Sequence, residues 1–135
     1  MADATIMIVD DNVEIQKAVG LLLAKADYHV IQASDGSEAI ALLDGSPAGL
    51  VSTILVDLQM PNVNGVEVIR HLKAHHPTVP FIVMTANPDF LLSEVLAKDG
   101  VCDYLIKPVS KEKLLESVRV AVRLHRLRKE QSSSS

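Results

Sequence analysis

Cysteine occurs once in the 135 residues, as Cys102, so no disulfide can form within the chain and the composition suits a reducing cytoplasm. Cys102 enters an apolar run in GVCDYLIKP, where a free cysteine reads as a small packed side chain rather than a reactive thiol. Aromatics are scarce, two Phe and two Tyr, so one placed near a strand end, such as Tyr104, stands out. No apolar run reaches the length of a bilayer span, and Met1-Ala2-Asp3 has neither the basic start nor the apolar core of a signal peptide. An excess of basic charge is missing too: the formal charge of −4 gives no overall reason to expect direct nucleic-acid binding. There is no internal repeat, and the one low-complexity segment is Ser132–Ser135, read as a disordered tail.

What is present is an ordinary single-domain balance, 48% apolar and 22% charged, in a chain long enough for one full core. Five short apolar runs alternate with helical patterns: TIMIV (5–9), HVIQA (29–33), STILVD (52–57), PFIVMTA (80–86) and DYLIK (103–107). The first, third and fourth are continuous and rich in Ile and Val, as strands covered on both faces should be. HVIQA is mixed and fits a place nearer an edge. Between them, VEIQKAVGLLLAKA puts Ile15, Val19, Leu22 and Leu23 on one helical face. Ser37 is placed to cap EAIALLD, and Asn64 to cap GVEVIRHLKAHH. FLLSEVLAKDG stops at Gly100, and Ser110 opens the last and longest helix. Strand and helix repeated five times predicts an α/β fold, a parallel sheet with helices on both faces.

Ligand sites of such sheets lie beyond the carboxyl ends of the strands. That rule selects Asp10 and Asp11 after the first strand, Asp57 ending the third, Thr85 and Ala86 ending the fourth and Lys107 ending the fifth. Three clustered carboxylates repel one another, and a hard divalent ion such as Mg²⁺, which takes oxygen ligands, offsets that repulsion. Asp57 stands apart in ILVDLQMP, with no acid beside it, as a carboxylate able to attack phosphorus and form an aspartyl phosphate. Lys107 would share the charge on the phosphoryl oxygens opposite the metal, and the Thr85 hydroxyl would donate to one of them.

Each residue has a plainer reading. Asp10 and Asp11 could cap the first helix, Lys107 could be a solvated lysine, Thr85 a β-branched strand residue and Tyr104 a static core aromatic. His71 and His75, four apart on one helix, form a potential metal pair, but no third ligand is evident and a solvated face is favoured; His76 reads as a loop residue. Arg119, Arg123, Arg126, Arg128 and Lys129 lie near the end of the last helix, where basic charge opposes the helix dipole. Leu114, Val118, Ala121, Val122 and Leu124 suggest packing on the sheet before a projecting stem that Leu127 continues.

In order and spacing, VDD, VDLQMPNVNG, MTA and DYLIKP resemble the receiver domain of the two-component response-regulator family, across about residues 4–123. The resemblance implies a flavodoxin-like, doubly wound (βα)5 fold with strand order 2-1-3-4-5. It implies a signalling domain rather than an enzyme: Asp57 would accept a phosphoryl group from a sensor histidine kinase or a histidine phosphotransfer protein. Asp10, Asp11 and Asp57 would hold Mg²⁺ (or Mn²⁺) together with the Gln59 backbone carbonyl. Thr85, Ala86, Lys107 and Tyr104 would bind the phosphoryl group and switch, with Gly65 as the turn glycine and a cis bond before Pro108. By the same resemblance, residues 1–123 are the receiver, and 124–135 a helix extension and tail suited to link an output domain. A homodimer through the fourth helix, fifth strand and fifth helix is a further family expectation, with no membrane partner and a cytoplasmic location. Competing readings of the sequence are a docking domain of this fold that ignores phosphate, and a haloacid-dehalogenase-like phosphatase, whose second acid follows two residues after the nucleophile, a spacing VDDN lacks. A flavin module would want a Ser/Thr/Gly-rich phosphate loop where these acids stand.

Overall fold

The computed structural model describes residues 4–47, 50–58, 65–87 and 101–133. They form β1 (Thr5–Val9), α1 (Val13–Lys25), β2 (His29–Ala33), α2 (Gly36–Gly45), β3 (Val51–Asp57), α3 (Gly65–His75), β4 (Phe81–Thr85), β5 (Asp103–Ile106) and α4 (Lys111–Ser133). The strands make one parallel sheet in the order β2-β1-β3-β4-β5, which is the expected architecture. The helix expected over 90–100 lies outside the described residues, as do Gln59 and Asn64.

The two-residue period of the strands explains why both sheet faces are apolar. Met7, Val9, Ile54, Val56, Phe81 and Val83 point to a cluster closed by Ala39 and Leu43 of α2 and Val68, Ile69 and Leu72 of α3. Ile6, Ile8, Leu55, Ile82 and Met84 point the other way, against Val19 and Leu23 of α1 and Leu114, Val118 and Ala121 of α4. The central strands are therefore buried along their whole length. β2 sits at the sheet edge and is half exposed, as its mixed composition predicts. Cys102 packs against the second cluster; burial and the Asp103 charge push its thiol up, so it behaves as a packed side chain.

Two local expectations are corrected, and one alternative reading is excluded. Asp35, not Ser37, caps α2: its carboxylate accepts from the Glu38 amide at 2.8 Å, and Glu38 accepts from the Ser34 amide at 2.8 Å. This reciprocal pair outcompetes the Ser37 hydroxyl and lets the helix begin at Gly36. Asn12 caps α1, its side-chain oxygen accepting from Glu14 and Ile15 at 2.9 and 3.1 Å, so neither Asp10 nor Asp11 serves as the cap. Finally, α4 runs on to Ser133, so Ser132 and Ser133 are helical rather than part of a disordered tail. The helix passes without a break through Arg123 and Leu124.

Candidate functional site

The parallel register brings the carboxyl ends of β1, β3, β4 and β5 to one edge. Asp10 follows β1 directly and is fully buried; Asp57 is the last residue of β3 and is 4% exposed. Carboxylate oxygens of Asp10, Asp11 and Asp57 lie within 4.8 Å of one another. Lys107, just past β5, places its ammonium 2.8 Å from Asp10 Oδ2 and 3.1 Å from Asp57 Oδ2. Its stem is held because the Lys107 amide donates to the Thr85 carbonyl at 2.9 Å, continuing the β4–β5 pairing past the last strand residue. The Lys107–Pro108 peptide is cis.

Burial acts to lower the Lys107 amine, but its hydrogen bonds to Asp10 and Asp57, and their charges, outweigh burial and hold it above the usual lysine range. The ammonium is therefore charged at neutral pH, and its contacts with two buried carboxylates exclude the solvated-lysine reading. One ammonium facing three carboxylates leaves negative charge uncompensated. Two buried acids and one exposed acid, all oxygen donors, fit a hard divalent cation that keeps part of its water shell.

Thr85 is fully buried at the end of β4. Its hydroxyl accepts from the Asn87 amide at 3.1 Å and contacts the Asn87 carbonyl at 3.2 Å, so it is engaged by its own turn. Ala86 beside it is exposed. Tyr104 in β5 is 37% exposed rather than a core aromatic. Gly65 opens α3 directly over the end of β3: a Cβ there would lie 2.3 Å from the Asp57 carbonyl oxygen and 2.8 Å from Leu58 Cα. Only glycine lets the helix start that close to the backbone of Asp57.

One contributor escaped the sequence reading. Gln16 of α1 is buried, and its amide nitrogen donates to the carbonyl of Asp10 and, at 2.8 Å, to that of Ala33. It pins the Asp10 peptide to β2, while the Asn12 amide donates to Asp10 Oδ1 at 2.9 Å. A glutamine flanking the apolar face of an amphipathic helix was the available signal. The histidine reading also needs correction: the His71 ring lies beside both His75 and His76, at 4.6 and 5.6 Å, but it is His71 and His76 that share a third ligand-type group, Asp44, 2.8 Å from each Nε2.

Residues 6–119 match the response regulator receiver domain family. The chain is 35% identical over 118 residues to the transcriptional regulatory protein CpxR of Klebsiella pneumoniae, covering 87% of this chain and 49% of that protein. It is 33% identical over 116 residues to the CAI-1 autoinducer sensor kinase/phosphatase CqsS of Vibrio cholerae, covering 84% of this chain and 16% of CqsS. Among solved structures, a response regulator receiver protein from Pseudomonas putida superposes with a TM-score of 0.79 at 28% identity, covering 88% of this chain and 98% of that one. The response regulator TrrA of Thermotoga maritima, in complex with Mg²⁺-BeF, shares the fold with a TM-score of 0.79 at 21% identity, covering 87% of this chain and 98% of that one. A five-stranded parallel sheet with acids, a lysine and a threonine at its carboxyl edge defines a signalling domain of the receiver class. This chain belongs to the response regulator receiver domain family, and it spans about half the length of the CpxR relative and a sixth of CqsS.

Proposed function

We propose that this receiver accepts a phosphoryl group on Asp57 from a phosphohistidine of a sensor histidine kinase or a histidine phosphotransfer protein, in a Mg²⁺-dependent reaction. The observation that carries this reading is the meeting of Asp10, Asp11, Asp57 and Lys107 at one edge of the sheet. A carboxylate oxygen of Asp57 attacks phosphorus, the P–N bond to the donor histidine breaks, and the electron pair leaves with the imidazole. The product is an acyl phosphate, which water later hydrolyses to restore the carboxylate.

Lys107 is placed to follow the charge. Its ammonium already touches Asp57 Oδ2, and a short swing of the stem carries it to an oxygen of the new phosphoryl group while it keeps Asp10. Thr85 must first give up Asn87 before its hydroxyl can donate to the phosphoryl group, so residues 85–87 are the segment that moves. Ala86, small and exposed, leaves space for the group to enter. As Thr85 is drawn in, Tyr104 turns inward from its half-exposed position. Mg²⁺, when bound, would supply positive charge for the developing phosphoryl oxygens. Asp10, Asp11 and Asp57 would hold it, with the Gln59 carbonyl as a further ligand, and Mn²⁺ suits the same oxygen donors.

The Mg²⁺-BeF complex of the TrrA neighbour and the sensor kinase/phosphatase name of the CqsS relative support this chemistry and partner class. The transcriptional regulator among the relatives supports an output domain reached through α4, with residues 1–123 as the receiver, 124–135 as the connecting helix and a cytoplasmic setting. Exposed Ile106 and Val120 on β5 and α4 suit the face through which phosphorylation would govern a partner or a second copy. Intact mass after incubation with acetyl phosphate tests the core of the proposal. Native protein should gain one phosphoryl group with Mg²⁺ and none in EDTA, and Asp57→Asn should gain none. An equal gain by Asp57→Asn would move the acceptor elsewhere, and no gain from acetyl phosphate or a cognate kinase would favour a phosphate-independent docking domain.

A further inference from the structure

We propose that Asp44, His71 and His76 form a second divalent-cation site, of the imidazole–carboxylate type that takes Zn²⁺, which joins the ends of α2 and α3. The site lies outside the pocket of Asp57 and uses none of its residues. Asp44 stands in the last turn of α2, His71 in the last turns of α3, and His76 immediately follows α3. Nε2 of His71 and Nε2 of His76 both lie 2.8 Å from the same oxygen, Asp44 Oδ1. The two rings are 5.6 Å apart, tilted by 48°, so both nitrogens aim at one point from different directions. All three ligand atoms fall within 4.8 Å of one another.

Three features favour a cation there. An acid in the last turn of a helix faces the negative end of the helix dipole, and that turn of α2 contains no basic residue. The end of α3, whose last turn already carries Lys73 and His75, brings its own negative pole to the same place. The ligands are accessible to a metal arriving from solvent, with side-chain exposures of 19% for His71, 25% for His76 and 49% for Asp44.

Little movement is needed. Zn²⁺ sits about 2.0–2.2 Å from nitrogen and oxygen ligands, so tetrahedral ligand atoms stand about 3.4 Å apart by that geometry. Each nitrogen must withdraw from Asp44 Oδ1 by only about 0.6 Å to admit the ion. A neutral ring moves its Nε2 proton to Nδ1 and offers the Nε2 lone pair; a charged ring releases one proton to solvent. Water completes the coordination. The two sites differ in donor chemistry, all-oxygen at Asp10, Asp11 and Asp57 against nitrogen-rich here, so Mg²⁺ and Zn²⁺ divide between them.

The test is calorimetric titration of ZnCl₂ into the full chain without a polyhistidine tag, in millimolar Mg²⁺, followed by imidazole ¹H–¹⁵N spectra. One ion should bind per chain, with the Nε2 signals of His71 and His76 moving and those of His29 and His125 unchanged. Asp44→Asn, His71→Ala and His76→Ala should each weaken binding at least tenfold, while His29→Gln leaves it unchanged. Melting in EDTA establishes that the variants fold. Absence of a Zn²⁺ heat, unmoved His71 and His76 signals, or undiminished affinity in an Asp44→Asn/His76→Ala double variant would overturn the proposal. A loss seen only in His75→Gln would overturn it equally, in favour of the pair on one helix.

Discussion

Replacing Lys107 by Met keeps the length of the side chain and deletes its charge, which isolates the electrostatics of the pocket. In the native protein the ammonium bonds to two carboxylates whose side chains are 0% and 6% exposed, and its own side chain is 16% exposed. Removing one member of a buried ion pair costs about 3–5 kcal/mol because the remaining charge is left in a poorly solvated site. Here two acids lose the ammonium they share while Asp10 keeps the Asn12 amide, so we expect a loss of about 2–4 kcal/mol. For a domain of this size that is a drop of about 10 °C in Tm. Urea unfolding in EDTA measures it, with Lys113→Met as the comparison. Lys113 also pairs with an aspartate, Asp103 at 3.3 Å, but is 52% exposed and should cost under about 1 kcal/mol. Adding Mg²⁺ should then stabilise Lys107→Met more than native protein, because the metal replaces the missing cation; ligand at a hundred times Kd contributes about 2.7 kcal/mol. A Lys107→Met protein as stable as Lys113→Met, or one that gains no more from Mg²⁺ than the native chain, would refute the claim that this ammonium neutralises the acidic pocket.

Gly65→Ala forces a Cβ to within 2.3 Å of the Asp57 carbonyl; α3 must shift, which should cost about 1–3 kcal/mol by the usual penalty of overpacking and slow phosphorylation at Asp57, read by urea midpoint and by mass. Gln16→Leu removes the donor to the Asp10 and Ala33 carbonyls; Ala33 keeps the Asp10 amide at 3.1 Å, so the change should destabilise by about 1–3 kcal/mol, the cost of losing the donor to the buried Asp10 carbonyl, while Gln16→Glu should be worse. His125 is buried, and its Nε2 has no hydrogen-bond partner among the described residues. Burial, with the charges of Lys129 and Arg128, holds its imidazole below the usual histidine range. The unfolded chain therefore binds a proton that the folded chain refuses, and stability falls as pH drops below about 6.5, levelling off beneath the folded value. Urea midpoints at pH 7.5 and 5.5 should differ less in His125→Leu than in the native protein; an identical difference would remove this group as the cause.

The pocket was legible in the sequence because a parallel sheet converts chain order into position: residues that follow strands share one edge whatever their separation. Asp10, Asp57 and Lys107, up to 97 residues apart, meet for that reason. Local capping was less legible, since Asp35 and Ser37 both carry acceptors and only backbone geometry selects the one that pairs with Glu38. The contact of Asp44 with His71 and His76 was hidden for a different reason. It depends on how the ends of two helices face each other across the packing of Leu43 against α3, and no periodicity along the chain records that. Gln16 was concealed by its type, since a polar residue near an apolar stripe looks solvated until its partners are known.

The central claim is that the carboxylate ending β3 is the atom group that becomes phosphorylated. Reduction with borohydride converts an acyl phosphate to the alcohol, so treating the acetyl phosphate product and mapping its peptides by mass locates the acceptor directly. The account predicts homoserine at position 57 and nowhere else, formed only when Mg²⁺ is present. Homoserine at position 10 or 11, or a phosphoryl group that survives borohydride on a serine, threonine or histidine, would contradict it.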